Sequence, residues 1–290
     1  MGKGKYAMIY LMTTSFKQSV WIDTQMRHLQ KYSKEEDYKV ILGTYKWEPN
    51  IILNLPKNYT RINMDNLPNE HYLQMMYLYD GVVRGMAQDD DIIAFIDGDA
   101  FPICADWTEK LTKYLDEYDG ACIYRYEDMG YQDVLSHWPV PHLSFSAFKK
   151  KTKDKYDLRW ELSGDNFGHT LVNKIRDNKL KIKELKRTNV YNAHNVMFGI
   201  YDDMIYHNGS GTRGVLGRPV QAYHGAPVNL SRQAYEGSDL THRMSLWQGR
   251  EWEEACADVI QLNVGIFDVV TKAIKDDKEC RITSRYFLGK

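Results

Sequence analysis

The first half of the chain alternates between short apolar segments and longer amphipathic segments. Four segments have the continuous apolar character of strands that are buried on both faces: residues 6–12, 38–43, 91–95 and 121–124. Three segments between them carry apolar residues at helical spacing: residues 19–32, 69–86 and 105–118. A strand followed by a helix and then by another strand is typical of a parallel sheet covered on both faces. We therefore predict an α/β fold with a mainly parallel central sheet.

The alternation weakens beyond residue 130. Strands are predicted over residues 142–148 and 196–206, a helix over 163–176 and a glycine-rich loop over 209–217, while residues from 245 onward have helical patterns. The sequence contains no Pro/Gly/Ser-rich linker that would separate independent domains. We predict one domain over residues 1–230 and a helical C-terminal extension, residues 231–290, packed on the same domain.

Charge and hydropathy exclude several classes of partner. The chain has 38 basic and 39 acidic residues, a net charge of −1, so no global field attracts nucleic acid and no nucleic-acid partner is predicted. A local excess of basic residues over 149–187 indicates either a solvated face or an anionic partner. The apolar runs are far shorter than the roughly 20 residues that span a bilayer, so no membrane span is predicted. Four irregularly spaced cysteines suit a reducing, cytoplasmic location. The oligomeric state stays open.

Two carboxylates stand at the end of the most apolar strand, in the segment AFIDGDAFP over residues 94–102. Open parallel sheets bind their ligands at the carboxyl ends of the strands. Asp97 and Asp99 repel each other unless a cation lies near both, and hard oxygen ligands suit Mn²⁺ or Mg²⁺. Gly98 between them allows a turn and a close backbone approach. We predict a divalent-cation site here; the alternative is an exposed turn with two unrelated aspartates.

This segment resembles the DxD motif of nucleotide-sugar glycosyltransferases with the Rossmann-like GT-A fold. The resemblance implies that Asp97 contacts the donor ribose and helps to organise the metal, and that Asp99 ligates it. It also implies a Mn²⁺ or Mg²⁺ cofactor, a nucleotide-diphosphate sugar donor (a UDP-sugar by family preference) and a hydroxyl acceptor such as a glycan.

A second segment, IYHNGSGTR over residues 205–213, resembles the HxxGxxK pattern of retaining galactosyl- and glucosyltransferases. The resemblance implies that His207 is a third metal ligand, with Gly209, Gly211 and Arg213 at the diphosphate. Backbone N–H groups of a glycine loop form an anion-binding nest, and Arg donates a fork of hydrogen bonds to phosphate oxygens. Arg213 stands where the pattern has Lys. His224 is a rival for the third ligand, and two ordinary polar histidines are a further alternative.

Weaker signals complete the expected donor site. By the same resemblance, the loop after the first strand contacts the nucleotide, which indicates Thr13, Thr14 and Ser15. The helix before the motif contributes polar residues, here Asp80 and Arg84. A surface ion pair at i, i+4 explains Asp80 and Arg84 equally well.

Asp165 is the candidate catalytic residue. It lies between the two motifs, as the catalytic acid does in inverting GT-A families, although Gly164 replaces the first acid of their pair. Transfer to a hydroxyl needs either a base that takes the acceptor proton or, in retaining enzymes, a group that stabilises the oxocarbenium-like centre. Capping of a helix N-terminus and acceptor binding are the alternatives. The two motifs favour opposite stereochemical outcomes, so retention and inversion both stay open.

The resemblance thus implies a metal-dependent glycosyltransferase that transfers a hexosyl or pentosyl group in glycan biosynthesis. A DxD phosphotransferase or phosphatase is a second reading, weakened because Ala100 and Phe101 follow the motif in place of the expected Val and Thr. A non-catalytic carbohydrate-binding protein on the same fold is a third.

Overall fold

A computed structural model describes residues 7–16, 20–47, 55–68, 70–125, 140–163, 166–186 and 199–207. The strands in these ranges are β1 (Ile9–Phe16), β2 (Tyr38–Tyr45), β3 (Tyr59–Asn63), β4 (Ile92–Ile96), β5 (Ala100–Pro102), β6 (Gly120–Arg125), β7 (Val140–Lys149), β8 (Leu162–Ser163), β9 (Asn166–Phe167), β10 (Ile182–Glu184), β11 (Gly199–Tyr201) and β12 (Ile205–His207). The helices are α1 (Val20–Tyr32), α2 (His71–Leu78), α3 (Arg84–Met86), α4 (Trp107–Glu117), α5 (Lys150–Tyr156) and α6 (His169–Asp177). A π-helical segment, Tyr79–Val83, joins α2 to α3.

Seven of the described strands form one sheet of order β10-β6-β7-β4-β1-β2-β3. Strands β1, β2, β3 and β4 run parallel to one another, and β6 and β10 run parallel to each other. Strand β7 lies between β4 and β6 and is antiparallel to both. The predicted α/β fold with a mainly parallel sheet is confirmed.

Successive residues of a strand point to opposite sides of the sheet, so an apolar strand presents apolar side chains on both faces. Helices pack against these side chains and cover both faces. Ile9 and Leu11 of β1 belong to one apolar cluster, with the α1 side chains Ile22, Met26 and Leu29. Tyr10 and Met12 belong to the other, with Met75 and Leu78 of α2. Full burial of each such aliphatic side chain stabilises the fold by roughly 1.5–3 kcal/mol relative to leaving it exposed. Burial on both faces explains why the central strands are apolar along their whole length.

A smaller antiparallel sheet of order β11-β12-β5 adjoins the carboxyl end of β4. Strand β5 follows β4 after a short turn, and its residue Ala100 pairs with His207 of β12. The turn between β4 and β5 therefore connects the two sheets, and the end of β12 lies beside it.

Several sequence-based boundaries are wrong. The helix predicted over residues 69–86 is interrupted by the π-helical segment. The strand predicted over 196–206 contains the hairpin of β11 and β12, turned at Asp202 and Asp203, both with positive φ. The helix predicted from residue 163 begins at His169, after Gly168 with φ 77°. Strands β3, β5 and β10 and helix α5 were not predicted.

The predicted loop over residues 209–217 and the predicted helical extension 231–290, with its boundary at residue 230, lie outside the described residues. Among the described helices, none combines the length and the apolar character needed to cross a membrane.

Candidate metal centre

The two aspartates of the sequence motif occupy a tight turn. The N–H of Ala100 donates to the carbonyl oxygen of Asp97 at 3.0 Å, the bond that closes a four-residue β-turn. The N–H of Asp97 donates to Ser144 O of β7 at 3.3 Å, which ties the start of the turn to the large sheet. We call residues 97–100 the acidic turn. It places both carboxylates at the carboxyl end of β4, as predicted.

Gly98 brings the acidic turn against the end of β1. A Cβ atom at this position would lie 2.8 Å from the carbonyl oxygen of Thr14 and 3.1 Å from Cδ1 of Ile22. Both distances are shorter than ordinary van der Waals contact, so the turn approaches this closely only because residue 98 has no side chain. The glycine of the motif thus has a packing reason in this chain.

The predicted location of Thr13, Thr14 and Ser15 in a loop is wrong. All three belong to β1, where they pair in parallel with Leu42, Gly43 and Thr44 of β2. They are largely buried. Threonine suits a pleated strand because its side chain is branched at Cβ, so β1 continues beyond its apolar part. A role of these residues at the nucleotide remains a prediction.

His207 meets both aspartates. It ends β12 and is 2% exposed, with Nε2 at 3.5 Å from Asp97 Oδ2 and 3.6 Å from Asp99 Oδ1. One ligand atom from each of the three residues lies within 4.8 Å of the others. The pairing of Ala100 with His207 across β5 and β12 produces this contact. The structure therefore brings together the three residues that the sequence predicted as metal ligands.

Two further histidines near Asp97 were missed by the sequence analysis. His71, the first residue of α2, has Nε2 at 3.4 Å from Asp97 Oδ1, and the His142 ring on β7 lies 6.2 Å from the His207 ring. Burial by itself raises the pKa of the Asp97 carboxyl. The neighbouring His71, His207 and His142 rings outweigh burial, so this pKa lies well below its usual value. Asp97 is thus an anion at any physiological pH.

The donor set fits a hard divalent cation. Asp97 Oδ1 and His207 Nδ1 are buried and have no hydrogen-bond partner among the described residues. Two carboxylates held close together by one turn need a counter-charge between them. Two carboxylate oxygens and one imidazole nitrogen suit Mn²⁺ better than Mg²⁺, which prefers oxygen ligands.

Asp80 and Arg84 form the i, i+4 ion pair that was the alternative to a nucleotide role, with Arg84 Nη1 at 3.0 Å from Asp80 Oδ1. Arg84 Nε also lies 3.2 Å from Asp154 Oδ1, and Arg159 Nη2 lies 3.9 Å from Asp80. The first of these contacts joins α3 to α5, and the second joins the π-helical segment to the residues after α5. The nucleotide role of Asp80 and Arg84 remains a prediction.

The other predicted site residues lie outside the described ranges: Asp165, Gly209, Gly211, Arg213 and His224. The N-cap of α6 is Gly168, so the helix start that was expected near residue 163 lies later in the chain.

No family model matches the chain, and no curated protein matches it in sequence. Solved structures of similar fold include the mannosyltransferase PcManGT from Pyrobaculum calidifontis in complex with GDP-Man and Mn²⁺, which is 12% identical, covers 61% of this chain and 54% of its own, and has a TM-score of 0.43. The galactosyltransferase LgtC, in complex with donor and acceptor sugar analogues, is 8% identical over 61% of this chain and 73% of its own, with a TM-score of 0.40. Residues 1–349 of S. aureus TarS are 10% identical over 97% of this chain and 92% of their own, with a TM-score of 0.44.

The matched region spans about half the length of the mannosyltransferase. Function depends on the residues of the site rather than on the fold that carries them.

Proposed function

We propose that this chain is a divalent-cation-dependent glycosyltransferase that transfers a sugar from a nucleotide-diphosphate donor to a hydroxyl acceptor. The observation that supports the proposal is the cluster of Asp97, Asp99 and His207 at the carboxyl end of β4. Ligands bind at this edge of an open α/β sheet, and a site for a hard cation there fits a substrate that carries phosphates.

The residues of the cluster have separate tasks in this proposal. Asp97 is held as an anion by the surrounding histidines, and Asp99 follows it in the acidic turn. His207 is buried by the small sheet, which fixes its ring against both carboxylates. A cation bound by these side chains would neutralise charge on the leaving diphosphate, a form of electrostatic stabilisation.

The donor and acceptor residues are proposed from the sequence. Arg213 and the backbone of Gly209 and Gly211 follow His207 directly, which suits contact with the diphosphate next to a cation. Asp165 is the proposed base for the acceptor hydroxyl. We propose Mn²⁺ as the cofactor, a UDP-sugar as the donor and a glycan as the acceptor.

The variant Asp99→Asn tests the cation site because it keeps the size of the side chain and removes its charge. We expect the variant to fold, to lose Mn²⁺ binding in a calorimetric titration and to lose most of its turnover of nucleotide sugar. Asp90→Asn is a matched control. Asp90 precedes the same strand, is exposed and pairs with Lys151 at 2.7 Å, so its loss leaves both readouts unchanged.

A thermal-shift screen of nucleotide diphosphates and nucleotide sugars, with and without Mn²⁺, tests the donor class, since a ligand that binds the native state raises the melting temperature. Retention of Mn²⁺ binding in Asp99→Asn would contradict the metal assignment. If Mn²⁺ binds the wild type but no nucleotide raises its melting temperature in the presence of Mn²⁺, the donor assignment is wrong.

A further inference from the structure

A buried glutamine of α1 lies beneath the acidic turn. Gln25 is 0% exposed, and its Nε2 donates to Asp97 O at 2.8 Å and to Ala100 O at 2.7 Å. These two carbonyl groups belong to the first and last residues of the turn. The side chain of Gln25 therefore spans the base of the loop that carries both carboxylates.

In both hydrogen bonds the Gln25 amide acts as the donor. A glutamine amide has two N–H groups, and both are directed at carbonyl oxygens that can only accept. Gln25 Oε1 is buried without a hydrogen-bond partner among the described residues. An unpaired buried acceptor destabilises a fold, so the chain tolerates this cost at the place where the two donated bonds are made.

His28, one helical turn after Gln25 in α1, makes a further contact between this helix and β5. Its Nδ1 lies 2.9 Å from the carbonyl oxygen of Pro102, the last residue of β5. Because that oxygen can only accept, Nδ1 carries the hydrogen. The ring packs at 4.2 Å from the ring of Phe101, centroid to centroid. Burial lowers the pKa of His28 to about 4, so the ring is neutral at physiological pH.

We propose that Gln25 and His28 are positioning residues for the cation site: they hold the acidic turn and β5 so that Asp97 and Asp99 face His207. The inference rests on the proposed function, because it assigns these bonds a task in cation binding. A binding constellation must be held within about 0.5 Å of its productive geometry. The acidic turn is a connection between two sheets, and α1 contacts it through donors directed at both of its ends and at the end of β5.

Residues that orient metal ligands typically change metal affinity 10–100-fold when they are replaced. The variant Gln25→Met keeps the length of the side chain and removes both donors. We expect its dissociation constant for Mn²⁺ to rise at least about tenfold, measured from the electron paramagnetic resonance signal of free Mn²⁺ on the full chain. The titration is done at a temperature at which circular dichroism shows the variant to be folded.

Gln74→Met is the matched control. Gln74 is also buried and also donates through Nε2 to a backbone carbonyl, Pro68 O at 3.0 Å, but it lies on α2 and bonds outside the acidic turn. Its loss should lower the melting temperature and leave the Mn²⁺ dissociation constant within about twofold of the wild type. A purely structural role of Gln25 predicts the same result for Gln25→Met.

A second pair of variants decides the case if Gln25→Met does not fold. His28→Asn keeps a donor near the position of Nδ1, whereas His28→Phe removes it. We expect weaker Mn²⁺ binding in His28→Phe and near-normal binding in His28→Asn. Folded Gln25→Met or His28→Phe with wild-type Mn²⁺ affinity would overturn the positioning role while leaving the cation site intact. Failure of the wild type to bind Mn²⁺ would overturn the proposed function and this inference together.

Discussion

Gly98 lies so close to the backbone of β1 that one added methyl group should have a large effect. In Gly98→Ala the new Cβ would lie 2.8 Å from Thr14 O, well inside ordinary contact distance. Thr14 lies in β1, which is hydrogen-bonded to β2 and to β4 and cannot retreat without disturbing the sheet. The strain therefore falls mainly on the acidic turn.

The expected cost follows from the packing. Inserting a methyl group into a filled interior typically costs about 1–3 kcal/mol. Here the main obstacle is a backbone oxygen rather than a flexible side chain, so we expect the upper half of that range, about 2–3 kcal/mol. Displacement of the turn would also move Asp99 away from His207 and weaken Mn²⁺ binding.

Urea denaturation at neutral pH, in chelator, measures the stability effect, and a Mn²⁺ titration of the folded variant measures the effect on the site. Gly85→Ala is the matched control, since a Cβ at Gly85 in α3 would meet nothing within 4 Å. Alanine has a higher helix propensity than glycine, so the free energy of unfolding of this variant should rise by about 0.5–1 kcal/mol. If Gly98→Ala proved as stable as the wild type and bound Mn²⁺ equally well, the steric reasoning would be refuted.

Two further predictions concern buried titratable groups. Burial lowers the pKa of His28 to about 4, so below about pH 6.5 the unfolded chain takes up a proton that the native state does not. Between pH 7 and pH 4.5 the free energy of unfolding, measured in urea, should therefore fall by about 2 kcal/mol more in the wild type than in His28→Asn. Equal decreases in the two proteins would contradict the burial argument. Lys153 donates to Leu158 O at 2.6 Å, and burial lowers its pKa to about 7, so the native state releases this proton before the unfolded chain does. The free energy of unfolding should therefore rise by about 2 kcal/mol from pH 7 to pH 9 relative to Lys153→Met, measured in the same way, and parallel pH profiles would show that Lys153 stays charged.

The parts of the fold that could be predicted are those in which local pattern and tertiary environment agree. Strand β4 is apolar throughout and is buried on both faces, so its sequence indicates both the strand and the parallel sheet. Asp97 and Asp99 stand out because charge follows directly on that run. His207 was found because it closes a second apolar strand and begins a segment that resembles the HxxGxxK pattern.

The missed parts depend on contacts between residues that are distant in sequence. Strand β5 is only three residues long, and it forms by pairing with β12, which comes about 100 residues later in the sequence. His71 begins a helix and Gln25 lies within one, and neither position has a local signal that distinguishes it from an ordinary polar residue. Their roles become visible only when the helices are placed against the acidic turn.

The connection between the two sheets has a consequence for how a bound ion would act on the whole chain. Asp97 and Asp99 directly follow β4 of the large sheet, whereas His207 belongs to the small sheet and comes much later in the sequence. An ion held by all three would close a long loop of chain, as a crosslink does. The conformational entropy lost when the ends of a flexible loop are joined grows with the length of the loop. The ion would then act as a removable crosslink, so that chelation would loosen the attachment of the small sheet to the large one.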